Sequence, residues 1–303
     1  MSSTRSSQQD ETLDYFRAGA EAWRKSAIGE AQGEVNVIAQ RIEAVLRVAR
    51  RMNPAPGLSL DVGCGTGQLS LALAAMGGEA VGLDFAPEMI EQCTIGLKKD
   101  PQPGVSFIQG SIFDYGPPAG RSLDLISALG FIEYVSPDEL EQLLVRFRKW
   151  LRPGGFCVLG SRNRLFNLFS LNRFTQLERG LGTIEALLNE SLLLAMAKDP
   201  TSALKAAMDA ATPLPQPEVH PEAGVTVTQR YQYTPGELAA LTGRFGFRAV
   251  SAAPVHYHPM PPAVKGDRGA FHLDYSEALF AAAPEDVRLV PQASTFVMAL
   301  EAV

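Results

Sequence analysis

Apolar positions along the chain follow two periods. From Leu13 to about Met52 they recur three or four apart: Ile38, Ile42, Val45, Ala49 and Met52 share one helical face, with Arg41, Arg47, Arg50 and Arg51 mostly on the other. The NPAPG run at 53–57 breaks that stretch. Short apolar runs then alternate with helical ones, the mark of βαβ units on a parallel sheet. Strands are expected at 58–62, 80–84, 105–109, 123–129 and 156–160, with helices at 68–76 and from Pro87 to about Leu97. The run at 123–129 is apolar almost throughout, as suits a strand covered on both faces.

Two later helices announce their starts. Ser136 and Glu139 spell a capping box with Pro137 in the first turn, ahead of the stripe Leu140, Leu143, Leu144, Phe147 and Leu151. Thr234 and Glu237 repeat the signal before Leu238, Leu241 and Phe245. Between them, residues 162–224 interrupt the alternation. They hold a Leu-rich helical stretch at 183–198, a shorter one at 202–211, and prolines at 213, 215, 217 and 221 that favour extended, semi-rigid chain. Closing strands are expected at 247–257 and 294–300. The domain plan is a polar tail at 1–12, N-terminal helices at 13–57, an α/β domain built from 58–161 and 225–303, and a helical cap or lid inserted at 162–224.

Composition narrows the function. Of 303 residues 46% are hydrophobic and 20% charged, enough to bury a core without staples. A net charge of −6 argues against a chain built to grip a polyphosphate, so no nucleic-acid partner is expected. Cys64, Cys93 and Cys157 are too few and scattered for a disulfide framework or a zinc cluster, which fits a reducing cytoplasm. The N-terminal MSSTRSSQQDE has no apolar signal core, and the longest apolar run, 192–197, is far short of the ~20 residues that span a bilayer. A soluble cytoplasmic protein without a membrane span is expected.

The candidate chemistry begins where the first strand meets its helix, at LDVGCGTG, residues 60–67. Gly63, Gly65 and Gly67 let the backbone turn tightly and approach a ligand. Gln68 stands where a dinucleotide fingerprint needs glycine, and the Gly-Lys-Ser/Thr of a P-loop is missing, so both nucleotide-phosphate sites are disfavoured. Asp61 makes a poor neighbour for an anion and a reasonable one for a cation. Asp84 ends the second strand, where a carboxylate can accept from both hydroxyls of a ribose. A ribose-bearing, phosphate-free, cationic ligand fits, and S-adenosylmethionine (SAM) meets that description.

The motifs LDVGCGTG, VGLDFAPEMIEQC and LRPGGFCVLG resemble those of the class I SAM-dependent methyltransferases over residues 58–161, and RYQYTPGELAALTGRFGF at 230–247 resembles the family's last helix entering its sixth strand. The resemblance implies a doubly wound, mostly parallel, seven-stranded α/β sheet with one antiparallel strand near the edge. By position it implies that Asp61, Gly63, Gly65 and Gly67 line the methionine end of SAM and that Asp84, followed by Phe85, holds the ribose. Cys64 belongs to the same turn as a packing residue the family shares, since methyl transfer from a sulfonium needs no covalent intermediate. Ser111 replaces the acid that contacts adenine in many relatives, leaving that contact to Ser111 or to backbone near Ile112. Ala86 replaces a usual capping Ser.

Methyl transfer is an in-line displacement that positioning and exclusion of water accelerate, with a general base only where the acceptor must lose a proton. Glu133 and Tyr134, after the fourth strand, are candidates for orienting an acceptor. His256 and His258 follow the sixth strand, point the same way on it, and are candidates for a base near neutral pKa or for solvated strand-end residues. No nearby carboxylate completes a metal site there, so no metal is expected. His220 and His272 are further histidines, His272 with the same two roles open to it. The Arg162, Asn163, Arg164, Asn167, Asn172 and Arg173 cluster either binds an anionic or sugar-like group or forms a solvated face. The apolar helix within the cap either packs on the sheet domain, covers a partly apolar substrate, or joins a dimer interface. Tyr15, Phe16 and Trp23 are placed to close over SAM. The leading expectation is a SAM-dependent methyltransferase acting on a small-molecule acceptor, with oxygen favoured. RNA methylation, a nicotinamide-dependent reductase and a non-catalytic SAM-fold partner protein are the alternatives.

Overall fold

The computed structural model describes residues 8–17, 34–52, 55–219 and 229–303. Trp23, His220 and part of the 53–57 break therefore lie outside the described residues. The expected strands assemble as one sheet in the order β3-β2-β1-β4-β5-β7-β6, with β1 Leu58–Val62, β2 Glu79–Asp84, β3 Val105–Gln109, β4 Leu123–Ala128, β5 Leu151–Arg162, β6 Phe247–Tyr257 and β7 Ala293–Ala302. The pairs β3/β2, β2/β1, β1/β4 and β4/β5 are parallel, while β7 runs antiparallel to both β5 and β6. β6 thus points the same way as β5. The carboxyl ends of six strands and the start of β7 meet at one edge, and strand order reverses between β1 and β4, where a crevice opens.

Each face of the sheet carries its own core. One face packs α5 (Pro137–Trp150), α8 (Ile184–Met196), α9 (Pro200–Ala210) and α10 (Pro235–Gly243), through Leu140, Leu143, Leu144, Phe147, Leu187, Leu194, Leu204 and Leu238. The other packs α2 (Val37–Arg51), α3 (Gln68–Ala74) and α11 (Gly269–Ala282), through Val45, Val48, Leu69, Leu73 and Phe280. Both capping boxes form, with Ser136 and Thr234 each exchanging hydrogen bonds with the Glu three residues on. α4 (Pro87–Lys99) starts at Ala86 without a side-chain cap.

Three expectations change. Residues 8–17 form a helix, α1, inside the stretch expected to be a tail. Its Leu13 packs with Ala86 and Met89, a contact between distant segments that local polarity does not reveal. Within the insertion, α6 (Phe166–Ser170) and α7 (Arg173–Leu181) precede α8. Arg164, read within a solvated face, is 1% exposed: its guanidinium pairs with the Glu178 carboxylate at 2.9 Å and donates to the Pro215 carbonyl at 2.8 Å. α8 uses Leu187 and Leu194 for packing and leaves Leu188, Leu192, Leu193 and Met196 exposed. Among the described residues no helix is long and apolar enough to cross a membrane.

Candidate functional site

The turn after β1 is held against β2 by its own backbone. Gly63 and Cys64 donate to the Leu83 carbonyl at 2.8 and 3.1 Å. The Gly65 N–H donates to Asp84 Oδ2 and the Ala86 N–H to Asp84 Oδ1, both at 2.9 Å. The Asp84 carboxylate is therefore aimed at the glycine turn. Burial pushes its pKa up to about 6, against the opposing pull of the Ala86, Gly65 and Phe85 amides. Gly65 sits at φ +54° with open space where a Cβ would stand, so the turn presents bare backbone to the crevice.

A cavity of about 110 Å³ opens there, lined by Gly63, Gly65, Asp84, Phe85, Ser111 and Ile112 among others. Phe131 and Tyr134 form one wall and Gln9, Thr12 and Phe16 of α1 close it. Three expected cofactor residues do not line it. Asp61 lies beneath the turn, both oxygens accepting from the Ser70 and Ser127 hydroxyls at 2.9 Å, and burial pushes its pKa up to about 6. Cys64 is buried with its thiol turned to the Gly65 carbonyl. A Cβ on Gly67, at φ +88°, would stand 2.6 Å from the Phe107 ring, so this glycine serves helix–strand packing. Ser111 accepts from the Phe113 N–H at 3.2 Å.

A second cavity, of about 470 Å³, lies on the other side of Gly130 and Tyr134, which line both. Among the described residues, Arg41, Arg162 and Arg230 bring guanidiniums to its wall beside the carboxylate of Glu133. Burial alone would raise the Glu133 pKa, but Arg230, Arg162 and Arg41 hold it below the ordinary carboxylate range, and Arg230 pairs with it directly. Burial pushes the Tyr134 hydroxyl far up, so it stays protonated. Arg230 also lies over the Tyr134 ring, 5.2 Å from its centroid. Asn163, Asn167 and Asn172 of the expected cluster line the same cavity, together with Phe166 and Phe174.

The structure brings His256 and His258 to this wall and adds His272 from α11. None is a solvated strand-end residue. Burial pushes all three pKa values down, helped by Lys265, and that of His258 falls to about 3. A base titrating near neutrality is therefore not what His258 supplies.

Arg41, Arg230, Ser294 and Thr295 were not singled out from the sequence. Arg41 belongs to the polar face of α2, and only the crossing of that helix over the sheet carries it to the strand ends. The Nε of Arg41 and the Oγ1 of Thr295 are buried without a hydrogen-bond partner among the described residues, which marks a wall prepared for a polar guest.

Residues 60–155 match the family model described as a methyltransferase domain. The ubiquinone biosynthesis O-methyltransferase of Xanthomonas axonopodis pv. citri is 31% identical over 125 residues, which are 41% of this chain and 51% of that protein. The chain thus spans about half the length of the curated relatives it matches. Among solved structures, magnesium protoporphyrin IX methyltransferase from Synechocystis PCC 6803 with bound SAH superposes with a TM-score of 0.56 at 13% identity, covering 98% of this chain and all of that one. The Burkholderia thailandensis 1,6-didemethyltoxoflavin-N1-methyltransferase gives 0.54 at 12% identity, covering all of this chain and 93% of that one. The fold is that of these methyltransferases.

Proposed function

We propose, on the premise that residues 60–155 are a class I SAM-dependent methyltransferase domain, that the chain methylates a small anionic molecule, on oxygen. The observation that carries this is the meeting of two cavities at Gly130 and Tyr134, one built from the glycine turn and Asp84, the other lined by arginines.

The residues of the turn cavity fit an adenosyl ligand. Asp84 offers a carboxylate for two ribose hydroxyls, Gly65 leaves room for close approach, and Phe85, Met89 and Ile112 supply apolar surface for a base. When bound, SAM supplies an electrophilic methyl on a sulfonium. The buried Asp61 carboxylate beneath the turn favours a cation above it. Gln9, Thr12 and Phe16 of α1 cover the hollow and would shield a bound donor from water.

On the acceptor side, the guanidiniums of Arg41, Arg162 and Arg230 stand beside the Glu133 carboxylate among the described residues, a charge pattern that favours a guest carrying negative charge. The same pattern favours the ionised form of a hydroxyl held there, which removes the need for a strong base. Tyr134, kept protonated, is a donor at the boundary between guest and donor. The wall mixes these polar groups with the rings of Tyr15, Tyr134, Phe166 and Phe174, which leaves room for a partly apolar acceptor.

The test is transfer of labelled methyl from SAM to matched pairs of small hydroxy compounds, one carrying a carboxylate and the other its amide. The carboxylate should be preferred at least tenfold in kcat/KM. Labelling of neither compound, or preference for the amide, overturns this assignment.

A further inference from the structure

We propose that His256, His258 and His272 form a binding site for one divalent transition-metal ion, whose open coordination position faces the arginine-lined cavity. Their candidate ligand nitrogens all lie within 4.8 Å of one another, and ring centroids are 4.3, 5.0 and 4.5 Å apart. Nitrogens bound to one tetrahedral ion stand about 3.3 Å apart at ordinary metal–nitrogen lengths, so small ring rotations close the set.

The hydrogen bonds around the rings leave one nitrogen of each histidine free to ligate. His272 Nε2 lies 3.1 Å from the Tyr257 carbonyl, which can only accept, so Nε2 carries the proton and Nδ1 keeps its lone pair. His256 Nδ1 is held by the Ser294 hydroxyl at 2.9 Å, leaving Nε2. His258 is 7% exposed, and its Nε2 is buried with no hydrogen-bond partner among the described residues. Carbonyl and hydroxyl partners behind the ring are the usual way metal-binding histidines are oriented. Backbone strain agrees: His256 stands at φ +60°, a left-handed conformation fixed by donation from its N–H to the Gln40 side chain at 2.9 Å.

Arg41 and Lys265 add positive charge near the rings. They weaken a bare cation and favour an ion whose fourth ligand is an anionic oxygen, the class of group the cavity otherwise selects. Three protein ligands with one position open is the pattern of a site that meets a guest. Imidazole donors without a carboxylate suit zinc, iron, cobalt, nickel or copper and disfavour magnesium. The metal site does not rest on the methyl donor, and SAH affinity measured on the same samples reports that separately.

The test uses untagged full-length protein stripped with chelator and titrated with Co²⁺, following its visible absorption, and with Zn²⁺ by competition. One equivalent should bind. His258→Ala and His272→Asn, each shown folded by circular dichroism, should bind at least a hundredfold more weakly, and Ser294→Ala about tenfold more weakly. Millimolar Mg²⁺ should displace nothing. Absence of a Co²⁺ spectrum in the wild-type chain, equal affinity in the histidine variants, or displacement by Mg²⁺ overturns the proposal.

Discussion

Asp84→Ala is expected to weaken SAH binding at least a hundredfold in calorimetry. Two hydroxyl hydrogen bonds to one charged carboxylate are lost, each contributing about 1.5–3 kcal/mol. The substitution also orphans the Gly65 and Ala86 amides that Asp84 accepts from, so part of the loss reflects a loosened turn. A pH series on the unaltered protein separates the two. The Asp84 pKa is raised to about 6, and a ribose diol donates more strongly to the ionised form than to the neutral acid. Affinity should be full about one unit above pH 6 and fall as the pH drops through 6, with the side chain still in place. Affinity that is unchanged in Asp84→Ala, or flat from pH 7 to 5, would show that the ribose lies elsewhere.

Arg164→Met should cost about 3–5 kcal/mol of stability, the usual result of stranding one partner of a buried ion pair. Glu178, 2% exposed, would keep only neutral donors, chiefly Asn167 and Thr183. At about 2–4 °C per kcal/mol for chains somewhat smaller than this, the thermal midpoint should drop by roughly 6–20 °C. The double variant Arg164→Met with Glu178→Leu should recover part of that, because Glu178 is no longer stranded while the part-buried Glu237, 4.0 Å from Arg164, still loses its cation. A loss below 1 kcal/mol in the single variant would mean that the pair is not buried in solution. The pair bears on the site because Asn167, which donates to Glu178 and to Gln232, lines the arginine cavity.

What was legible in the sequence is what local chemistry dictates. The glycine turn, Asp84, six strands and two capping boxes each depend on neighbours within a few residues, and β7 was marked by its apolar run. The arginine cavity was not legible because its wall comes from segments more than two hundred residues apart: Arg41 on α2, Glu133 after β4, Arg162 ending β5, Arg230 before α10 and His256 in β6. Arg164 was read as either an anion-binding or a solvated residue because its buried partner Glu178 lies on α7, outside the local pattern. α11 hid its function most thoroughly. Its buried face is His272, Ser276 and Phe280 while Phe271 is half exposed, so hydrophobic periodicity misses the helix, and His272 was singled out without its place beside His256 and His258.

The joined cavities are tested most directly by a crystal structure with SAH. The account predicts the ribose hydroxyls on the Asp84 carboxylate and the sulfur at Gly130 and Tyr134, facing the arginine-lined space. A ribose turned away from Asp84, or a sulfur directed toward α4, would contradict it.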